Sequence, residues 1–174
     1  MANQLFFLLL SLLAIAASAQ VFVSIDCGGS SNVYTDEKGI KWSGDDPFIQ
    51  TGKNAVVQTS NSNSISHVMN TLRVFPTHNK KNCYSINATN GEKFLVRASF
   101  YYGNYDNKSS PPSFDLHFNG NKRTTVVTSS EELVSKVSIY NVKVDAISVC
   151  LAQTHPNQLP FISALEVRSL ASTM

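Results

Sequence analysis

Helical periodicity is missing from this chain. No stretch of its 174 residues repeats apolar side chains at three- and four-residue intervals over a helix of useful length. The nearest candidate, Ser130 to Val137, opens like a first turn and then fills with Val and Ser, which hold a helix poorly. Charge is equally sparse, with 14 Lys and Arg against 12 Asp and Glu, for a net +2. No basic run exceeds the pair inside Asn79-Lys80-Lys81-Asn82, so nucleic acid is not expected as a partner.

Metal and cofactor chemistry finds little to stand on. The three cysteines, Cys27, Cys83 and Cys150, lie far apart with no Cys-x-x-Cys spacing, which argues against zinc. His67, His78, His117 and His155 show no ligand spacing among themselves. His117 alternates outward on an expected strand and reads as a surface residue. No Gly-x-Ser-x-Gly elbow and no phosphate-cradling glycine motif occurs. Asp45 and Asp46 sit together in a turn-like Gly-Asp-Asp-Pro and read as loop formers. Asp106 and Asp115 flank a tyrosine cluster and read as solvated loop carboxylates rather than an acid/base pair. The expectation is no enzyme, no metal and no cofactor.

What the chain does have begins at its start. Apolar runs from Leu5 to Leu10 and Leu12 to Ala17, followed by Ala17-Ser18-Ala19, predict an export leader over residues 1–19 despite the absence of early basic residues. Cleavage would leave one domain over 20–174, large enough to bury about two thirds of its unfolded surface. Downstream no second apolar run is long enough to cross a membrane. Export makes two triplets meaningful: Asn87-Ala88-Thr89 and Asn107-Lys108-Ser109 predict N-glycans on the surface. An odd number of cysteines predicts one bridge and one leftover thiol, and three pairings are open.

The dominant pattern is alternation. Phe94, Val96, Ala98, Phe100 and Tyr102 share one strand face, and Phe114, Leu116 and Phe118 share a face of the next strand. Further strands are predicted over Val21–Asp26, Asn54–Gln58, Thr71–Phe75, Cys83–Ile86, Arg123–Thr128, Val134–Tyr140, Asp145–Ala152 and Phe161–Leu170. Asn32 to Gly52 reads as irregular chain at the sandwich edge, anchored by Tyr34, Trp42 and Phe48. Roughly ten short strands punctuated by Gly, Asn and Pro predict an all-β, antiparallel two-sheet sandwich or jelly roll. The long strand from Phe94 runs into Tyr101, Tyr102, Gly103, Asn104, Tyr105 and Asp106, an aromatic loop placed where sandwiches meet ligands.

Several blocks, taken in order, carry a resemblance. Phe22 to Gly28, Thr35 to Asn54, Leu72 to Pro76 with Asn82-Cys83-Tyr84, Leu95 to Asp106, Phe114 to Phe118, Ile147 to Ala152 and Pro160 to Arg168 resemble the malectin-like domain of plant leucine-rich-repeat receptor kinases. The likeness covers nearly all of 20–174. It implies a jelly-roll-like sandwich related to animal malectin, which binds a glucose disaccharide through loop aromatics and an Asp. Tyr102, with Tyr101 beside it, falls near the family's strand-end aromatic pair, whereas the second aromatic aligns with Gly103. Plant members commonly lack the complete sugar site, and some bind secreted peptides or cell-wall polymers. Receptors of this type usually carry two such modules, and the resemblance here covers one.

The resulting expectation is a non-enzymatic extracellular recognition module, secreted or part of a plasma-membrane ectodomain. A carbohydrate or cell-wall-derived ligand is expected at Tyr101, Tyr102, Tyr105 and Asp106. Tyrosine faces would cover apolar sugar faces while hydroxyls and Asp106 meet sugar hydroxyls. The alternative is a fragment that holds a secreted peptide or a co-receptor and has no sugar site.

Overall fold

A computed structural model describes residues 22–30, 32–58, 65–76 and 81–170. The export leader expected over 1–19 lies outside these residues, as do Val21 and His78. Thirteen strands and one short 3-10 turn, His67–Asn70, make up the regular structure among the described residues.

The longest sheet has six strands. Its centre is β7 (Lys93–Phe100), β13 (Ala164–Leu170) and β1 (Phe22–Asp26); β10 (Val134–Asn141) forms one edge. The other edge is β3 (Lys41–Gly44) followed by β2 (Tyr34–Thr35). The Asn32 to Gly52 stretch is thus less irregular than the sequence suggests. Its Tyr34 and Trp42 pair across the β2–β3 ladder, and the Trp42 indole N–H donates to Asp36 Oδ2 at 2.8 Å. Position at the edge, as expected, is what that aromatic pair fixes.

A four-stranded sheet faces the first in the order β6, β11, β8, β9, formed by Lys81–Asn87, Ala146–Gln153, Ser113–Phe118 and Asn121–Val127. Period-2 alternation aims one side of each strand inward. Phe94, Val96, Ala98 and Phe100 of β7 are buried against Tyr84, Ile86, Val149, Leu116 and Phe118 of the opposite sheet. The two faces interlock through Phe100 and Phe114, whose ring centres lie 5.5 Å apart, and through Phe118 and Tyr140, 5.9 Å apart. Edge-to-face rings of this kind add to the burial of each phenyl group, worth about 1.5–3 kcal/mol.

A third sheet of β12 (Phe161–Ile162), β5 (Thr71–Val74) and β4 (Lys53–Val56) closes one end of the sandwich. The strand expected over Phe161–Leu170 therefore divides at Ser163: its first two residues pair with β5 and the rest with β7 and β1. Close backbone approach at this end demands glycine. Gly28 has φ +76, and a Cβ there would fall 2.2 Å from the Leu72 carbonyl oxygen.

Of the three pairings open to the cysteines, the fold makes one. Cys83 and Cys150 are register partners on β6 and β11 and form the disulfide. Cys27 stays reduced and fully buried, and burial pushes its thiol pKa well up.

Candidate functional site

Where β7 ends, the chain does not open into an exposed aromatic rim. Tyr102 is 0% exposed and Tyr101 only 2%, which corrects the expectation that their rings stand exposed at the strand end. The reason for Tyr102 is the parity of the strand itself: it continues the inward series of Phe94 to Phe100 past the last ladder bond. Its ring packs 6.2 Å from Phe161 and 5.6 Å from Tyr105. Tyr101 has outward parity, but the chain turns at this point. The Tyr101 amide donates to Ser163 Oγ at 3.1 Å, and Tyr101 Cε1 lies 3.1 Å from where a Gly103 Cβ would stand.

The loop is built like a clasp. The Tyr102 hydroxyl donates to Asp106 Oδ1 at 2.5 Å and accepts from the Ser110 amide at 3.1 Å. Asp106 Oδ1 also accepts from the Lys108 amide at 3.2 Å, and Asn104 Oδ1 accepts from the Ser109 amide at 2.8 Å. Asn104, Asn107 and Ser109 all adopt left-handed φ, as does Gly103, a conformation that Gly and Asn tolerate best. A Cβ at Gly103 would meet Val57 Cβ at 2.5 Å, so a larger side chain there would force this loop or Val57 to move. Burial, then the bond to Asp106, raises the Tyr102 hydroxyl pKa. Burial first and the Asp106 charge second do the same to Tyr105. Of the four expected contact residues, Tyr105 and Asp106 keep partial exposure.

Sequence reasoning missed a second constellation. Asp45, read as a loop former, is 1% exposed and takes a two-pronged grip from Arg73: Nε to Oδ2 and Nη2 to Oδ1, both 2.6 Å. Arg73 Nη2 also reaches Asp46 Oδ1 at 2.7 Å, and Nη1 donates to the Thr51 carbonyl at 3.2 Å. The Tyr84 hydroxyl completes the set with a 2.9 Å bond to Asp45 Oδ2. Hydrogen bonding to Asp45 raises the Arg73 pKa, while burial raises that of Tyr84. This fork fastens the 45–52 loop to β5 and β6. A buried bidentate Arg–carboxylate pair is positional chemistry, not acid/base chemistry. The signal for it was faint: an Arg of inward-facing β5 needs a carboxylate from somewhere.

Other carboxylates are similarly engaged. Glu166, 2% exposed, is held between Arg97 and Arg168 on the outer face of the six-stranded sheet. Asp115 pairs with Lys122 at 2.8 Å. Asp26 accepts from the hydroxyls of Thr71 and Tyr34, both at 2.8 Å, and burial raises its pKa. Among the described residues, no group of three or more His, Cys, Asp or Glu converges on a metal-sized site. No helix among them is long and apolar enough to cross a membrane. Asn87, at the end of β6, and Asn107, in the clasp, are both exposed.

Two facing sheets, antiparallel except where β1 runs parallel to β3, with a third small sheet capping one end define a jelly-roll β-sandwich module. This chain belongs to the malectin-like domain family, whose sequence profile matches residues 25–174. Among relatives, a probable LRR receptor-like serine/threonine-protein kinase of Arabidopsis thaliana is 36% identical over 179 aligned residues, covering 97% of this chain and 20% of that protein. PAM74, a second probable kinase of that kind from the same plant, is 36% identical over 166 residues, covering 90% and 18%. The chain thus spans about a fifth of the length of these curated relatives. Among solved structures, the Arabidopsis thaliana ANX2 ectodomain superposes with a TM-score of 0.75 at 19% identity, over 87% of this chain and 42% of that one. A chain from the complex of plant peptide RALF23 with FER and LLG2 gives 0.72 at 17% identity, over 88% and 41%. At such identities these superpositions show the fold.

Proposed function

We propose that this chain is a non-enzymatic extracellular recognition module whose ligand is a secreted peptide or a partner protein. The observation that carries this choice over a sugar ligand is the burial of Tyr101 and Tyr102. Stacking on a sugar needs an exposed ring face, and these rings spend theirs on Phe161, Tyr105 and the loop backbone. Kinship with receptor-like kinases supports a place outside the cell. One structure of the same fold comes from a complex of the plant peptide RALF23 with FER and LLG2. The exposure of Asn87 and Asn107 is what glycan attachment requires. Catalysis is disfavoured because Asp45, Asp106 and Asp115 are all spent on structural bonds.

A carbohydrate reading retains Tyr105 and Asp106, the two members of the expected set with accessible surface. The discriminating experiment is parallel titration of the glycosylated and deglycosylated protein with an oligosaccharide panel and with a panel of secreted plant peptides. Peptide binding that is indifferent to Tyr105→Ala and Asp106→Asn is the expected result. Saccharide binding abolished by those two substitutions, with no peptide bound, overturns it.

A further inference from the structure

Exposed aliphatic side chains are unevenly spread over the molecule. Of the seven large hydrophobic residues exposed among the described residues, five fall in one stretch: Val127, Leu133, Val137, Ile139 and Val144. They follow β9 and β10, one edge strand from each of the two larger sheets. Val137 is 59% and Ile139 57% exposed, both on the outer side of an eight-residue edge strand without proline. Proteins ordinarily blunt such edges, because unpaired backbone groups beside apolar side chains recruit another strand.

The direction of the backbone can be read from one bond. Arg123 Nη2 donates to the Ile139 carbonyl at 3.4 Å, so that carbonyl points away from β7. The β10–β7 register runs without interruption from Val134 to Asn141. In an antiparallel ladder, residues two apart turn their N–H and C=O to the same side. Val137 and Ser135 therefore also present theirs outward.

Beside this edge lies a cleft of about 290 Å³ between the sheets, lined by Leu116, Arg123, Thr124, Lys136, Val137 and Ser138. Two cations line it and no carboxylate does. Neither Arg123 nor Lys136 forms an ion pair among the described residues. Arg123 instead rests on the rings of Phe118 and Tyr140, 5.6 and 5.5 Å from their centres. At the opposite edge of the four-stranded sheet stands β6 with Asn87, so a glycan there would leave the cleft open.

We propose that β10 is a strand-addition site for an extended acidic peptide, a proposal that rests on the peptide-recognition reading above. The incoming strand pairs with the outward N–H and C=O groups of Ser135 and Val137. Its apolar side chains cover Val137 and Ile139, and its carboxylates turn into the cleft toward Lys136 and Arg123.

The test uses the 15N-labelled protein and two acetylated, amidated peptides, one alternating valine with glutamate and the other valine with lysine. The glutamate peptide is expected to shift amides of β10 and the cleft side of β9, and to bind more weakly as salt rises. Lys136→Glu and, separately, Val137→Lys should each weaken it about tenfold, while the lysine peptide leaves the spectrum unchanged. Equal binding of both peptides overturns the proposal, as do shifts centred elsewhere. Concentration-dependent dimerisation that Val137→Lys abolishes also overturns it, by making a second copy the occupant. Silence toward both peptides removes the edge assignment alone. Failure of the wider reading has another signature, saccharide-induced shifts at Tyr105 and Asp106 with no peptide bound in any panel.

Discussion

The Tyr102 hydroxyl meets Asp106 Oδ1 at 2.5 Å across four residues of chain, and this bond joins a core residue to a surface turn. Tyr102→Phe should keep the ring in place and release the clasp. The expected cost is about 1 kcal/mol, with faster amide exchange at Lys108 and Ser110 than in the native protein. Tyr102→Ala empties a core site and should cost about 3–5 kcal/mol by denaturant unfolding. Equal effects from the two substitutions would refute a divided role for ring and hydroxyl.

Arg73 and Asp45 make a comparable demand deeper in the fold. With side chains 7% and 1% exposed, Asp45 without Arg73 is a buried charge held only by the Tyr84 hydroxyl, and Arg73 without Asp45 keeps only the largely exposed Asp46 as its counter-charge. Asp45→Ala is expected to cost about 3–5 kcal/mol. The double change Arg73→Met with Asp45→Ala should cost less than the two single changes summed. A double-mutant cycle in urea measures this directly.

The bridge between Cys83 and Cys150 spans a sequence separation of 67. Cys83→Ser with Cys150→Ser should lower stability by about 4 kcal/mol in the chain-entropy account. Iodoacetamide should leave Cys27 unmodified in the native protein and label it once the protein is unfolded, because the thiol is enclosed. Mass spectrometry before and after denaturation reads both states.

Acid should weaken the fold through two aspartates and relieve it at a third. Desolvation is the largest single influence on Asp36 and raises it, but the bonds from Trp42 and the Ile40 and Lys38 amides together hold it below the ordinary 3.8. Lys122 and Thr125 do the same for Asp115, again against desolvation. Both bind protons less readily when folded, so their contribution is present above pH 3.8 and lost as pH falls through the lowered native values. Asp26 is raised by burial; its sign is opposite, and stability falls as pH climbs from 3.8 through its raised native value. Asp115→Asn should flatten the loss below pH 3.8, and Asp26→Asn the decline above it, in thermal melts across pH.

The period-2 series from Phe94 to Tyr102 was legible before any coordinates, and it already placed Tyr102 inside. Loop position suggested an exposed ring there, but strand parity prevails over it because the packing against Phe161 continues beyond the end of the ladder. Tyr101 gave no such warning. Its burial depends on Ser163, which lies 62 residues away in sequence. The Asn32–Gly52 stretch hid its strands because each is too short to alternate, and the pairing of β3 with distant β1 supplies their order.

By itself the sequence determined the all-β class, the inward faces of the long strands and the membership that its blocks announce, since alternation and turn chemistry are local. Tertiary structure alone decided which cysteines join, which aspartate meets Arg73 and which tyrosines face water. Each of those outcomes depends on residues tens of positions apart being brought within about 3 Å of one another, a distance at which hydrogen bonds form and ring faces close.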